Sequence, residues 1–345
     1  MERVKYILAI AVIFFALEFA SGCTSKGEGT EKTYKAMDTV MSVTIYDKSE
    51  RGKDVDKLLT ACGSTIENYD NMFSVNSESS DVFKINASAG KSAEVSAETA
   101  QLIARASEIS KGTGGLFDIT VYPLSKAWGF TDKKYGVPSD AEIAALLGGV
   151  GYNKVSVSGS HVGLENGSGI DLGGIAKGYV SQMLANYLKS NGVQSAVINL
   201  GGNVQVIGSR LSGEKWGVGI RDPLDSEKTL GILSVSDTAV VTSGSYERYF
   251  EKDSVKYHHI IDPRTGKPAD SDLVSVSIIA CDGTTADALS TALFVMGSEN
   301  AAEYQKANGG FEYVMVTKDK TVIVSPGIRD AFTLESDGYS IKTVN

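Results

Sequence analysis

The segment DLGGIAKGYVSQMLANYLKSNGVQSAVINLGGN, residues 171–203, combines the features around which the rest of the chain is organised. A carboxylate, a Gly-Gly pair and a lysine precede or open a helix, which leads to an apolar strand over Ala196–Leu200 and a second Gly-Gly pair. Glycine lets a ligand approach the backbone, and a helix N-terminus offers unpaired N–H groups and a positive dipole end to phosphate. Two interpretations stay open here: a diphosphate-containing ligand held at Asp171–Lys177, or an ordinary strand–turn–helix corner.

The N-terminus is typical of an exported protein. Arg3 and Lys5 precede an apolar run over Tyr6–Leu17, and small residues stand directly before Cys23. This pattern predicts a signal peptide over residues 1–22, and the cysteine resembles the lipidated residue of a bacterial lipobox. A plain secreted protein or a chance cysteine is the alternative. The polar residues 23–33 predict a flexible tether, so we expect a folded domain over 34–345, lipid-anchored at the extracytoplasmic face of the cell membrane.

Charge and cysteine content exclude some partners. The 345-residue chain has a net charge of −9, which argues against nucleic acid as a partner. No Cys/His spacing in the sequence indicates a zinc site. Cys62 and Cys281 could be bridged or could be two buried thiols, and their apolar, core-like flanks favour thiols.

Apolar periodicity predicts an α+β fold with mixed, largely antiparallel sheets and interspersed helices, because strands outnumber helices. The predicted helices are 55–69, 98–111, 139–148, a helix after Gly174, and 285–296. The predicted strands are 34–47, 154–158, 161–165, 196–200, 204–208, 216–221, 229–235, 239–242, 274–280, 311–317 and 320–325, with a further strand following a glycine-rich turn within 113–123. Residues 71–86 are predicted to form a loop that presents Met72 and Phe73, either to stack a flat ring or to plug the core.

Asp287 and Thr291 are four residues apart on the last long predicted helix, so both side chains lie on one face. Oxygen ligands of this kind suit Mg²⁺, which leaves coordination sites for phosphate and water. The alternative is a carboxylate near a helix N-terminus beside a solvated threonine.

Two of the three histidines are adjacent, at His258 and His259, so on a strand they point to opposite faces. A histidine beside Asp262 and Arg264 could act as a general base, or it could be a satisfied, partly buried side chain. Ser243-Gly244-Ser245 could suggest a nucleophile, but the sequence contains no G-x-S-x-G and places no partner for it.

Nine segments in order resemble the ApbE family, the FAD:protein FMN transferases, across almost the whole mature chain. They are MDTVMSVTIY (37–46), GGLFDITVYPL (114–124), WGF (128–130), DLGGIAKGY (171–179), INLGGN (198–203), WGVGIRDP (216–223), TSGSYERYF (242–250), HHIIDPRTGKP (258–268) and TTADALSTALFVMG (284–297). Two positions depart from the family pattern: Phe73 aligns where tyrosine is frequent, and Asp38 stands where glycine is common.

The resemblance implies a site for FAD as substrate with Mg²⁺ at its diphosphate. The implied metal ligands are the Asp287 carboxylate, the Thr291 hydroxyl and the Gly174 carbonyl. The implied FAD contacts are Met37, Phe73 with its loop, Leu116, Phe117, Asp118, Asp171, Lys177 and His259.

The implied reaction is attack of a threonine hydroxyl, on an exported or membrane-bound acceptor with an FMN-binding domain, at the FMN-side phosphorus of FAD. His259 would take the proton, Lys177 would stabilise phosphate oxygens and AMP would leave. Two alternatives are an FAD pyrophosphatase that uses water and gives FMN and AMP, and a lipoprotein that only binds flavin.

Overall fold

The structure is a computed structural model that describes residues 29–47, 54–88 and 90–343. The predicted signal peptide, Cys23 and the first part of the predicted tether lie outside these ranges. The end of the predicted tether is wrong, because a strand begins at Thr30 and pairs along its whole length with the next strand. Within the described ranges, no helix is both long enough and apolar enough to cross a membrane.

The chain alternates between helices and short strands. The helices are α1 Val55–Phe73, α2 Asp81–Ala87, α3 Ala97–Gly112, α4 Tyr122–Ala127, α5 Asp140–Leu147, α6 Ala176–Ser190, α7 Gly283–Met296 and α8 Ser298–Asn308. The strands are β1 Thr30–Ala36, β2 Thr39–Ile45, β3 Ser92–Glu94, β4 Val155–Ser158, β5 His161–Leu164, β6 Ser195–Leu200, β7 Asn203–Gly208, β8 Trp216–Arg221, β9 Thr229–Val235, β10 Ala239–Gly244, β11 Tyr249–Lys252, β12 Val255–His258, β13 Leu273–Ala280, β14 Glu312–Thr317, β15 Thr321–Val324, β16 Phe332–Leu334 and β17 Ser340–Thr343.

A nine-stranded sheet forms the centre of the domain, in the order β1-β2-β6-β7-β10-β13-β14-β15-β17. Its neighbours are antiparallel except for the last pair, β15 with β17, which is parallel. Two three-stranded sheets, β16-β9-β8 and β3-β5-β4, and a two-stranded ribbon, β11-β12, complete the fold. The predicted α+β class with largely antiparallel sheets is therefore confirmed.

Successive residues of the central strands point to opposite sides of the sheet, and each side has its own core. Val241 of β10 packs toward the helices, whereas Val240 packs toward the small sheet that contains β8 and β9. The same alternation holds in β13, where Ile278 and Ile279 enter different cores. The helix layer, made chiefly by α1, α6 and α7, covers the face on which the candidate site is built.

The predicted strand over 34–47 is a hairpin of two strands. Its two-residue turn, Met37-Asp38, has φ angles of 48° and 59°. Positive φ at both central residues defines the type I′ turn, in which aspartate is one of the favoured residues. Apolar alternation continues through a two-residue turn, so the sequence pattern did not reveal the break. Asp38 thus fits this turn without glycine, and its carboxylate lies 3.0 Å from the Lys133 ammonium.

The predicted loop over 71–86 is largely helical. Helix α1 continues to Phe73, and α2 begins directly after Ser80, whose hydroxyl accepts a hydrogen bond from the Phe83 amide at 2.9 Å. Serine at this position is a standard N-cap, and it indicates a helix that polar composition alone conceals.

The predicted strand within 113–123 is also wrong. Asp118 caps a 3₁₀ turn over Ile119–Val121, and α4 follows with Pro123 in its first turn. Proline suits that position because its missing N–H would have no partner in the helix and its φ is already near the helical value. The β-branched residues between them suggested a strand that the capping residues prevent.

Three further differences are smaller. Helix α8 was not predicted, and β16 and β17 extend the chain beyond the predicted terminal hairpin. Cys62 is a buried free thiol, whereas Cys281 is a free thiol on the surface, so the prediction of two buried thiols holds for Cys62 alone.

Candidate functional site

The site is built where helices α6 and α7 pack closely together. A Cβ atom on Gly178 of α6 would stand 2.2 Å from the Gly283 carbonyl oxygen and 2.5 Å from Cβ of Asp287. Only glycine permits this approach. The buried Asp287 carboxylate can therefore reach across and accept a hydrogen bond from the Gly178 amide at 2.7 Å.

Thr291 lies one turn after Asp287 and faces the Gly-Gly bend that precedes α6. A Cβ atom on Gly174 would be 3.7 Å from the Thr291 hydroxyl oxygen and 3.2 Å from the Phe117 ring. From the sheet side, the Ser243 hydroxyl lies 2.7 Å from the Ser290 hydroxyl and 3.4 Å from that of Thr291. Thr291 thus lies beside Gly174, and Asp287 is bonded to Gly178, so the residues implied as metal ligands line the contact between the start of α6 and one face of α7.

This arrangement fits Mg²⁺. The candidate donors are a carboxylate, a hydroxyl and a backbone carbonyl, all of them hard oxygens. One carboxylate oxygen of Asp287 is engaged by Gly178, and the other makes no hydrogen bond within the described part of the chain. No group of three or more His, Cys, Asp or Glu side chains suited to a metal occurs among the described residues, so a transition-metal centre of that kind is not indicated there.

The start of α6 offers fewer free amides than a simple helix N-terminus. The Ala176 amide donates to the Leu172 carbonyl at 2.8 Å, and the Gly178 amide is taken by Asp287. Asp171 shapes the bend itself, because its carboxylate accepts from the Gly173 amide at 2.8 Å. The half-buried Lys177 side chain consequently carries most of the positive charge available to a phosphate here.

The two adjacent histidines have different environments. His258 is buried; its Nε2 donates to the Ala269 carbonyl at 3.0 Å, and its Nδ1 accepts from the Ile260 amide at 3.3 Å. Burial lowers the pKa of His258 to about 4. Its ring is therefore a structural, uncharged element of the core, packed edge-on against Phe294.

His259 has the geometry of a base. Its Nδ1 lies 3.2 Å from the Arg248 carbonyl oxygen and donates to it, which leaves Nε2 as the proton acceptor. Burial lowers the pKa of His259 well below its ordinary value, and the charges of Arg248 and Lys177 add to this effect. The ring is consequently uncharged near neutral pH.

Asp262, which lies close to both histidines in the sequence, bonds to another residue. The Asp262 carboxylate accepts from its neighbour Arg264, with an Nη2–Oδ2 distance of 2.8 Å, and from the Arg264 amide. These contacts close the Pro263–Gly266 turn, and within the described ranges neither histidine is hydrogen-bonded to a carboxylate.

The residues implied as flavin contacts have varied surroundings. Phe73 is buried, with its ring stacked on Tyr69 at 5.3 Å and edge-on to Tyr179 at 5.9 Å, which is the core-filling alternative. Asp118 turns inward to accept from the amide and hydroxyl of Thr120, and burial raises the pKa of its carboxyl. Met37 occupies the β1–β2 turn at a positive φ.

Sequence reasoning assigned no role to Glu247, Arg248 or Arg221, although two of them lie in the quoted TSGSYERYF segment. Solvent reaches the Glu247 side chain, yet the protein around its carboxyl displaces enough water to raise its pKa, an effect opposed by Lys177, Arg248 and Arg221. The signal that could have found them is the run of charged and aromatic residues directly after an apolar strand.

A cavity of about 250 Å³ lies beside α7 but away from the residues described above. It is lined by Arg105, Thr285, Leu289, Tyr304 and Phe311, and includes neither Asp287 nor His259.

The sequence model of the ApbE family matches residues 37–315. The chain belongs to this family. It is 34% identical over 281 residues to a Klebsiella pneumoniae protein named FAD:protein FMN transferase. The alignment covers 80% of this chain and 87% of the relative. A Treponema pallidum protein of the same name is 34% identical over 310 residues, covering 85% of each chain.

Solved structures of the ApbE family have the same fold. The crystal structure of the ApbE protein from Thermotoga maritima superposes with a TM-score of 0.82 at 34% identity, covering 88% of this chain and 99% of that one. The flavin transferase ApbE from Vibrio cholerae gives a TM-score of 0.76 at 28% identity, covering 90% and 97%. The predicted family is thereby confirmed.

Proposed function

We propose that this chain catalyses the Mg²⁺-dependent transfer of FMN from FAD to a threonine hydroxyl of an exported or membrane-bound acceptor protein, with release of AMP. Membership of the ApbE family, whose quoted curated members are FAD:protein FMN transferases, makes the chain an enzyme of flavin transfer. The observation that supports the finer proposal is the placement of Asp287 and Thr291 of α7 against the Gly174–Gly178 segment, which contains Lys177.

Binding of the diphosphate rests on charge and hard oxygen donors. Asp287, Thr291 and the Gly174 carbonyl would hold Mg²⁺, which when bound neutralises negative charge on the diphosphate and orients it for in-line displacement. Lys177 contributes a point charge beside the same bend and stabilises phosphate oxygens as charge develops on them. Close packing at Gly178 fixes the carboxylate, so little reorganisation accompanies substrate binding.

The proton of the attacking hydroxyl goes to Nε2 of His259. Because Nδ1 donates to the Arg248 carbonyl, the ring presents an unprotonated Nε2 near neutral pH. The threonine oxygen forms a bond to the FMN-side phosphorus, and the bond between that phosphorus and the bridging oxygen breaks. The bridging oxygen leaves with AMP, and the flavin is left joined to threonine through a phosphoester.

The kind of acceptor is implied by the resemblance to the ApbE family, and the cellular location is predicted from the N-terminal sequence pattern. An exported acceptor with an FMN-binding domain matches a chain whose residues 1–22 have the pattern of a signal peptide and whose Cys23 could carry lipid. We therefore propose action at the extracytoplasmic face of the cell membrane, with the chain held there by its lipid anchor.

The deciding experiment incubates the protein with FAD, Mg²⁺ and an acceptor carrying a Ser/Asp-x-x-Thr motif. In-gel flavin fluorescence on the acceptor, dependent on Mg²⁺ and absent when the acceptor threonine is replaced by alanine, is the expected outcome. AMP is quantified in parallel and should match labelled acceptor one to one.

The same assay separates the alternatives. FMN and AMP formed equally fast without acceptor would identify a pyrophosphatase and contradict the proposal. Bound flavin with neither product would identify a flavin-binding lipoprotein. Full labelling after chelation of divalent ions would overturn the metal dependence alone.

A further inference from the structure

Arg248 and His259 face each other across the β11–β12 ribbon. The register of the ribbon pairs Tyr249 with His258 and Phe250 with Tyr257, and one further step brings Arg248 opposite His259. The His259 amide donates to the Arg248 carbonyl at 3.1 Å, which continues the ladder to this pair. Side chains of directly opposed residues lie on the same face, with Cβ atoms about 5 Å apart.

The aromatic neighbours agree with this assignment of faces. Phe250 and Tyr257, two residues away on each strand, share the face of Arg248 and His259 and are stacked with ring centroids 5.2 Å apart. Phe130 packs on that side, 6.4 Å from the His259 ring. Neighbours on the opposite face are different, since His258 contacts Phe294 of α7.

The titratable and charged groups around His259 come from three elements. Arg248 belongs to the opposing strand, His258 is its neighbour in sequence, and Lys177 belongs to the start of α6. Glu247, whose carboxyl is close to Lys177 and Arg248, adds an acidic side chain to this group, and the Asp287 carboxylate of α7 is close enough to Glu247 to raise the pKa of its carboxyl further. None of the three cationic partners Lys177, Arg221 and Arg248 makes a carboxylate contact within 4.0 Å in the part of the chain described.

We propose that Arg248 is a positioning residue for His259: its guanidinium, together with the burial of the ring, keeps the imidazole uncharged so that Nε2 can accept the proton of the attacking hydroxyl. The inference rests on the proposed transfer reaction for its catalytic meaning, but the charge state of His259 can be measured without turnover. The Arg248 carbonyl selects the tautomer of His259, because it accepts the proton of Nδ1. The Arg248 side chain in addition disfavours a positive charge on the ring.

Lys177 and Arg248 both lower the pKa of the His259 imidazole. Lys177 is expected to pair with phosphate oxygens when a diphosphate binds. Arg248 sits on the ribbon directly opposite the ring and remains there. Its charge therefore continues to lower the pKa of the imidazole in the substrate complex, where the charge of Lys177 is compensated by phosphate.

The test compares Arg248→Gln and Arg248→Lys with the unchanged chain. Proton NMR titration follows the His259 ring, assigned by the signal that disappears in His259→Gln; with three histidines in the chain, the assignment is tractable. We expect Arg248→Gln to raise the titration midpoint of His259 by about one pH unit, and Arg248→Lys to leave it near its original position. Lys252→Gln, a charge removed at the far end of the same ribbon, serves as the matched control.

The transfer assay gives a second readout. In Arg248→Gln the acid limb of the pH–rate profile should move upwards with the titration midpoint, while KM for FAD changes less than twofold. An unmoved His259 midpoint in Arg248→Gln overturns the proposal, as does a large rise in KM for FAD with an unchanged pH profile, which would make Arg248 a substrate-binding residue. If no variant transfers flavin, the proposed function fails while the NMR result still decides the role of Arg248.

Discussion

The Asp287 carboxylate accepts a hydrogen bond from the amide of Gly178 at 2.7 Å, and the two residues belong to different helices. This bond joins the helix that follows the Gly-Gly bend to the helix that carries Thr291. One carboxylate thus has two tasks: it satisfies an amide in the first turn of α6, and its second oxygen, which has no hydrogen bond within the described part of the chain, remains available to a ligand.

Replacement of Asp287 separates these tasks. We expect Asp287→Ala to lower the rate of FMN transfer at least about 100-fold, because a charged oxygen donor at the diphosphate is lost. Asp287→Asn keeps an oxygen that can accept from Gly178, so it should lose transfer activity while its urea unfolding midpoint stays near that of the unchanged chain. Glu299→Gln on the exposed start of α8 is the control, and it should retain full activity. Normal transfer by Asp287→Asn would remove the carboxylate from the reaction.

Gly178→Ala tests the close packing of the helices. The added Cβ would meet the Gly283 carbonyl oxygen at 2.2 Å, so α6 and α7 must separate. We expect the free energy of unfolding to fall by about 1–3 kcal/mol, measured by urea denaturation. Gly136→Ala is the matched control, since a Cβ there meets nothing within 4 Å, and it should change stability by less than about 0.5 kcal/mol. Equal stability of the two variants would contradict the close approach.

His258 makes stability depend on pH in acid. Folded His258 takes up a proton only near pH 4, whereas the ordinary histidine pKa is 6.5. As pH falls from about 6.5 to 4, the unfolded chain therefore binds the proton first, and the free energy of unfolding declines by up to ~3 kcal/mol from this residue. In His258→Gln the decline over this range should be smaller by a similar amount. Parallel curves of unfolding free energy against pH for the two proteins would show that His258 is not the source.

Cys23→Ala tests the anchor predicted from the sequence. We expect the full-length variant to appear in the soluble fraction after cell lysis, with FMN transfer per molecule unchanged, because Cys23 precedes the domain that begins by Thr30. Fractionation by ultracentrifugation and immunoblotting measures the first outcome. A variant that stays with the membranes would refute lipidation as the means of attachment.

Local patterns predicted much of the fold because the relevant signals are short-range. Alternation predicted the central strands, and the four-residue spacing of Asp287 and Thr291 predicted a shared helix face, which the structure bears out. The start of α5 was predicted from its capping serine, and in the structure the Ser139 hydroxyl accepts a hydrogen bond from the Glu142 amide at 3.2 Å.

The errors arose where a capping residue or a turn overrode composition. Asp118 and Pro123 start helical turns in a segment rich in β-branched residues. Phe73 extends a helix into the core and does not occupy a loop. The opposition of Arg248 and His259 depends on the register of a ribbon, and a sequence without that register cannot say which cation faces the ring.

Both outer edges of the central sheet are formed by the ends of the described domain, β1 on one side and β17 on the other. Removal of the last residues would uncover β15, whose sequence Thr-Val-Ile-Val has the composition of a strand prone to intermolecular pairing. Shortened versions made for crystallisation should therefore keep the C-terminal strand, because without it the exposed backbone amides and carbonyls provide a template on which chains can aggregate.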